Sequence, residues 1–147
     1  MMIPDDVYQQ DFENVVAQMR YWAPSIADVA KVEEQEGPGY RIFRFSSAYP
    51  GGCPFEFVIR HDQLYDLRVA GEHYMDQPAR NLMRFHSLSE AIVEGRVCQL
   101  YWHSIKTGVL RGIQTQVRLA DGSIWREGTP EPEECESRTR YFLPYRR

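Results

Sequence analysis

Phe55-Glu56-Phe57-Val58-Ile59-Arg60-His61-Asp62-Gln63-Leu64-Tyr65-Asp66-Leu67-Arg68-Val69 is the stretch that decides the fold. Phe55, Phe57 and Ile59 alternate with Glu56, Val58 and Arg60, and Tyr65, Leu67 and Val69 alternate with Asp66 and Arg68. Successive side chains of a strand point to opposite faces, so each half presents one apolar face. His61-Asp62-Gln63 is too short for a crossover and returns the chain antiparallel. A lone hairpin is marginal in water, so its apolar face needs partners from either side.

Upstream, Tyr40–Ser46 places Phe43 and Phe45 on one face. Asp28–Glu36 is a polar run suited to an edge strand, joined to it by Gly37-Pro38-Gly39. Tyr49-Pro50-Gly51-Gly52-Cys53-Pro54 reads as a loop. Before these strands, Tyr8, Phe12, Val15, Val16, Met19 and Trp22 recur at helical spacing, with Gln9, Gln10, Glu13, Asn14 and Gln18 on the opposite side. Asp5 or Asp6 is the expected cap and Pro24 the stop.

Downstream, residues 71–95 change period. Pro78 suits the first turn of a helix, Leu82 and Phe85 fit an apolar stripe, and Ser87 with Glu90 has the spacing of a capping box. Leu88, Ile92 and Val93 follow, and Gly95 closes the segment. Val97–Ile105 is again a strand. Ile113, Thr115, Val117 and Leu119 alternate with Gln114, Gln116 and Arg118. Asp121-Gly122 turns the chain into Ile124-Trp125. Residues 127–137 contain Pro130, Pro132 and five glutamates and read as an exposed tail; Tyr141–Tyr145 either docks on the body or serves as a recognition peptide.

The expectation is therefore an α+β fold: an N-terminal helix and a mostly antiparallel sheet of about six to seven strands, with a helical segment between strands four and five. Residues 1–127 form the domain and 128–147 an acidic, proline-containing tail with an aromatic end. The chain has 147 residues, 43% hydrophobic and 13% aromatic, enough for one packed core.

The net charge of −4 is unevenly spread: −6 over residues 1–36, +3 over 37–126 and −1 over 127–147. An acidic chain is disfavoured as a partner of duplex nucleic acid, whose affinity comes from neutralising phosphates. Fifteen of the seventeen bases are arginine, a bias of the kind a GC-rich genome produces, so no function is read from it. No apolar run is long enough to span a bilayer, so no membrane partner is expected. The N-terminus shows no basic flank followed by an apolar stretch, and a cytoplasmic location is the expectation.

Candidate chemistry is sparse. Cys53, Cys98 and Cys135 form no Cys-x-x-Cys pair, and the histidines share no ligand spacing, so neither a metal nor a cofactor is expected. Glu72-His73 and His61-Asp62 are adjacent acid–imidazole pairs, but neighbours in extended chain point apart. Cys53 lacks a base that sequence can identify. Tyr101, Trp102 and His103, with Arg111 and Arg118 on the next strand, are the residues expected to form a ligand pocket or aromatic platform.

Val117-Arg118-Leu119-Ala120-Asp121-Gly122-Ser123-Ile124-Trp125 resembles the hairpin that closes many PAS sensor domains, and the preceding helix-then-strands order is similar to theirs. The long first helix and the four strands after it depart from that pattern, and no cofactor residue carries over.

The leading expectation is a small soluble binding or regulatory module that uses a pocket or aromatic sheet face. A second is an enzyme with an open cavity, drawing acid–base groups from His73, Glu72, His103 and Asp66, with Cys53 the one candidate nucleophile. A third is a self-associating protein that pairs through a strand edge or the Tyr141–Tyr145 segment.

Overall fold

A computed structural model describes residues 2–147. Its elements are α1 (Asp5–Trp22), a 3₁₀ turn (Ala23–Ile26), β1 (Ala30–Gly37), β2 (Tyr40–Ser47), β3 (Phe55–Arg60), β4 (Leu64–Val69), β5 (Glu72–Pro78), α2 (Arg84–Val93), β6 (Val97–Ser104), β7 (Leu110–Arg118), β8 (Ile124–Gly128) and β9 (Cys135–Tyr141). The class is α+β, but the strands form two antiparallel sheets rather than one. Sheet one is a meander, β1-β2-β3-β4-β5; sheet two has the order β8-β7-β6-β9. The helix between the sheets follows strand five, not strand four.

In sheet one the alternation holds. Phe43, Phe45, Phe55, Phe57, Ile59, Leu67 and Val69 are buried, and Phe45 stacks on its register partner Phe55 with centroids 4.4 Å apart. Tyr8, Phe12, Val15, Val16 and Met19 of α1 are buried in the same core. Each such side chain contributes roughly 1.5–3 kcal/mol by leaving water. The other face has no helix over it. Register aligns Glu33, Arg44, Glu56, Arg68 and His73 in one row across the five strands. Glu56 pairs with Arg44 and, at 4.0 Å, with Arg68.

Asp5 and Asp6 do not cap α1. Pro4 takes the cap position and makes no side-chain cap bond, because the first turn already starts beyond it. The two aspartates sit in that turn, where the helix dipole favours carboxylates.

β5 is the strand that the periodicity does not show. Only Tyr74 in it is buried. A bulge between Tyr65 and Leu67 breaks its register with β4, and Asp76 there has φ +55 and donates its backbone N–H to Asp66 Oδ1 at 2.8 Å. Pro78 ends this strand instead of starting a helix. α2 begins at Arg84 with no side-chain cap, so the Ser87–Glu90 spacing is not a cap; Glu90 pairs with His86 at 2.6 Å. The end of α2 is as expected. Gly95 has φ +79, its N–H reaches Ile92 O and Arg96 N–H reaches Ala91 O, the paired bonds of a Schellman ending.

The Asp121-Gly122 turn also forms. Only Gly122 has positive φ, +88, and Gly122 N–H bonds Leu119 O while Leu119 N–H bonds Ser123 O. This is a three-residue loop with a glycine bulge.

Residues 128–147 are not a tail. Cys135–Tyr141 is β9, paired with β6 along its whole length. Beyond it Phe142 and Tyr145 are buried. Tyr145 donates its N–H to Val93 O and its hydroxyl to Cys53 O, Leu143 bridges Gly52, and Arg146 pairs with Asp28 at 2.6 Å. The terminal segment therefore seals the core between α2 and the 48–54 loop. Sheet two meets sheet one through buried polar groups: Gln99 Nε2 donates to Val69 O at 3.0 Å, and the Tyr74 hydroxyl lies 2.6 Å from Thr115 Oγ1.

Candidate functional site

The residues expected to bind a ligand do not converge. Tyr101 and His103 are half-buried and share a face of β6, with the Tyr101 hydroxyl donated to Gln99 Oε1 at 3.2 Å. Trp102 lies on the other face, buried, its Nε1 donated to Thr129 O at 3.1 Å. There the chain crossing from β8 to β9 covers it, packed over Gly112, where an added Cβ would collide with Thr129. Arg111 and Arg118 are exposed near opposite ends of β7, too far apart for one small ligand at about 3.3 Å of rise per residue.

The acid–base candidates are likewise scattered. His73 is exposed at the end of the charged row on sheet one, beside Arg68 in register, and Glu72 pairs with Val69. Asp66 accepts from Asp76 and lies 3.4 Å from Arg60, which also holds Asp62 and Asp76. Cys53 is completely buried, and burial pushes its thiol up to about 12, so at neutral pH it is a neutral packing group. Among the described residues, no group of three or more His, Cys, Asp or Glu side chains could hold a metal ion.

A different place gathers polar groups. Between the two sheets lies a cleft of about 480 Å³. The bulged end of β5 supplies Gln77 and Pro78; the connection to α2 supplies Ala79, Arg80 and Asn81; the first turns of α2 supply Arg84, Phe85 and Leu88; and β4 and β8 supply Tyr65, Trp125, Arg126 and Glu127. Phe85, Leu88 and Trp125 are buried and make an apolar floor. Tyr65 packs edge-on against Phe85 with centroids 4.9 Å apart.

The charges around this floor are one-sided. Arg80, Arg84 and Arg126 are exposed, and among the described residues none has a carboxylate within 4.0 Å. By contrast Arg20, Arg41, Arg44, Arg60, Arg96 and Arg146 all have such partners. α2 begins at Arg84 with no acidic residue in its first turn, so its positive dipole end at the cleft is not neutralised by its own sequence. Glu127 is the one acid in the lining, and burial pushes its carboxyl up. Burial also raises the Tyr65 hydroxyl, with Glu127 adding to the rise and Arg84 opposing it. Tyr65 therefore feels both charged groups across the cleft. The lining contains no imidazole and no thiol.

Sequence reading passes over this site because its arginines come from separated segments, with Arg80 before α2, Arg84 at its first residue and Arg126 on a strand forty-two residues after Arg84. One signal was available. From Arg80 to Arg84 two bases stand without a single acid among them, just where α2 starts.

The chain matches no protein-family model, no curated protein and no solved structure. The likeness of Val117–Trp125 to a PAS hairpin thus remains confined to that hairpin. No helix among the described residues is long and apolar enough to cross a membrane.

Proposed function

We propose that this protein is a binding module whose cleft between β5–α2 and β8 takes a small anionic ligand. The carrying observation is that three arginines without carboxylate partners ring one cleft. Guanidinium groups form forked, charge-assisted hydrogen bonds with carboxylates and phosphates. An apolar floor beneath them lowers the local dielectric and strengthens those bonds. Gln77 and Asn81 add neutral donors at the rim. The lining offers no nucleophile paired with a base, which favours binding over covalent chemistry.

Thermal unfolding of the whole chain in orthophosphate, in a dicarboxylate and in a tricarboxylate tests this reading. A ligand that binds only the folded state adds about 2.7 kcal/mol of stability at one hundred times its Kd. The expected result is a rise in Tm with at least one of these anions that is absent in the Arg84→Ala, Arg126→Ala double variant. No rise with any of them, or an equal rise in the variant, overturns the proposal.

A further inference from the structure

β9 is the outer strand of sheet two, and its far side has no partner strand. Six of its seven residues are exposed, Glu136 to Tyr141. Proteins usually blunt such an edge with proline, a bulge or like charges; β9 contains no proline and pairs with β6 without a register shift. Its charges follow a different rule. Acids precede Ser137 and bases follow it: Glu134, Glu136, then Arg138, Arg140. The pattern changes sign on reflection through Ser137.

The backbone fixes which registers are allowed. Ile105 N–H bonds Glu134 O, and antiparallel bonds alternate along a strand. Within β9, Glu136, Arg138 and Arg140 therefore turn their backbone groups toward β6, and Cys135, Ser137, Thr139 and Tyr141 turn theirs to the open edge. A second β9 can pair there only with these outward residues opposite one another, about a two-fold axis through a residue. An axis through Glu136 or Arg138 sets that charge against its own copy. An axis through Thr139 sets Arg138 against Arg140. An axis through Ser137 sets Glu136 against Arg138, twice. Those positions are the non-hydrogen-bonded pairs, where facing Cα atoms are only about 4.5 Å apart and side chains interact most strongly.

We infer that two copies of this chain pair antiparallel through β9 about an axis at Ser137, joining two four-stranded sheets into one of eight strands. The interface is isologous, as closed dimers require. Arg138 has no carboxylate within 4.0 Å among the described residues, and Arg140 lies over the Phe142 ring at 4.7 Å. Glu134 stands outside this facing set, in the turn before β9 with φ +53, and pairs with Lys106 at 3.0 Å.

Sedimentation of the full chain at low ionic strength and micromolar concentration tests the pairing. The wild type sediments as a dimer that added salt weakens. Glu136→Arg sets two arginines against each other on both sides of the axis and weakens the dimer by about tenfold or more. The double exchange Glu136→Arg, Arg138→Glu restores it. Circular dichroism of each variant verifies folding, and an independent readout needs no charge change. Ser137→Cys places two thiols at a facing pair with Cα atoms about 5.5 Å apart, so a short bis-thiol-reactive cross-linker yields a covalent dimer that the unsubstituted chain does not give. A wild type that stays monomeric throughout, a double exchange that leaves the dimer broken, or a Ser137→Cys chain that does not cross-link overturns the inference.

Discussion

Sheet one and sheet two are built from the same kind of strand but closed in different ways. In sheet one each strand pairs with the next in the chain, β1 through β5. Its core face is large and aromatic, and its outer face is a charged row in water. Sheet two has one local hairpin unit, β6 to β8, and is completed only when the chain crosses back over Trp102 to lay β9 against β6. Local pairing needs little loop-closure entropy, whereas a returning strand needs anchors elsewhere. Those anchors are Phe142 and Tyr145, buried past the end of β9. The cleft lies where the two modes meet, at the bulged last strand of one sheet and the edge strand β8 of the other.

Truncating a core residue of either sheet sharpens this contrast most. Phe57→Ala lowers stability by about 3–5 kcal/mol in denaturant unfolding, the usual result for a buried aromatic. Tyr145→Ala falls in the same range, because Tyr145 is completely buried and its hydroxyl bonds Cys53 O. A loss below about 1 kcal/mol would place the C-terminal segment outside the core. Next in size is Gly112→Ala. The new methyl meets Thr129, and overpacking of this sort costs about 1–3 kcal/mol; unchanged stability would show that the crossover does not seat there.

On the outer face of sheet one, Glu56→Gln changes stability by about 1 kcal/mol, since Glu56 is half-buried but the two arginines it pairs with reach solvent, which keeps such pairs weak. A larger loss would make the charged row a structural element equal to the core.

The smallest effect concerns pH. A hydrogen bond from Arg20 holds the Glu34 carboxyl below the usual range, so the folded chain binds fewer protons there than the unfolded one. The contribution is complete above the ordinary carboxylate pKa of about 4 and fades as the pH falls through the lowered value. Glu127 has the opposite sign. Its raised pKa means stability is lost as pH rises through the window above the ordinary value, and Glu127→Gln removes that loss. A proton-resolved titration of the two carboxyls checks both directions.

Much of this architecture could be read from residue order. The hairpin of Phe55–Val69, the long first helix and the Gly95 helix stop are dictated by local spacing, and local spacing is what forms them. β5 escaped because an edge strand with a bulge buries one side chain, Tyr74, and shows no period. β9 escaped because Cys-Glu-Ser-Arg-Thr-Arg-Tyr has no apolar face, and the Pro130–Glu134 run before it has the composition of a disordered segment. Tyr101 and Trp102 are adjacent, so the strand sends them to opposite faces, and the long-range return of the chain to β9, which no local spacing announces, is what covers Trp102. The cleft was invisible because Arg80, Arg84 and Arg126 meet only after both sheets have packed.

The most direct measurement is a titration of the whole chain with orthophosphate, followed through the ¹⁵N–¹H signals of the arginine Nε groups. Anion capture between the sheets predicts that Arg80, Arg84 and Arg126 shift together along one saturable curve while Arg111, Arg118 and Arg138 stay fixed. Arginine signals that all drift alike, or a saturable shift confined to residues away from the cleft, would contradict it.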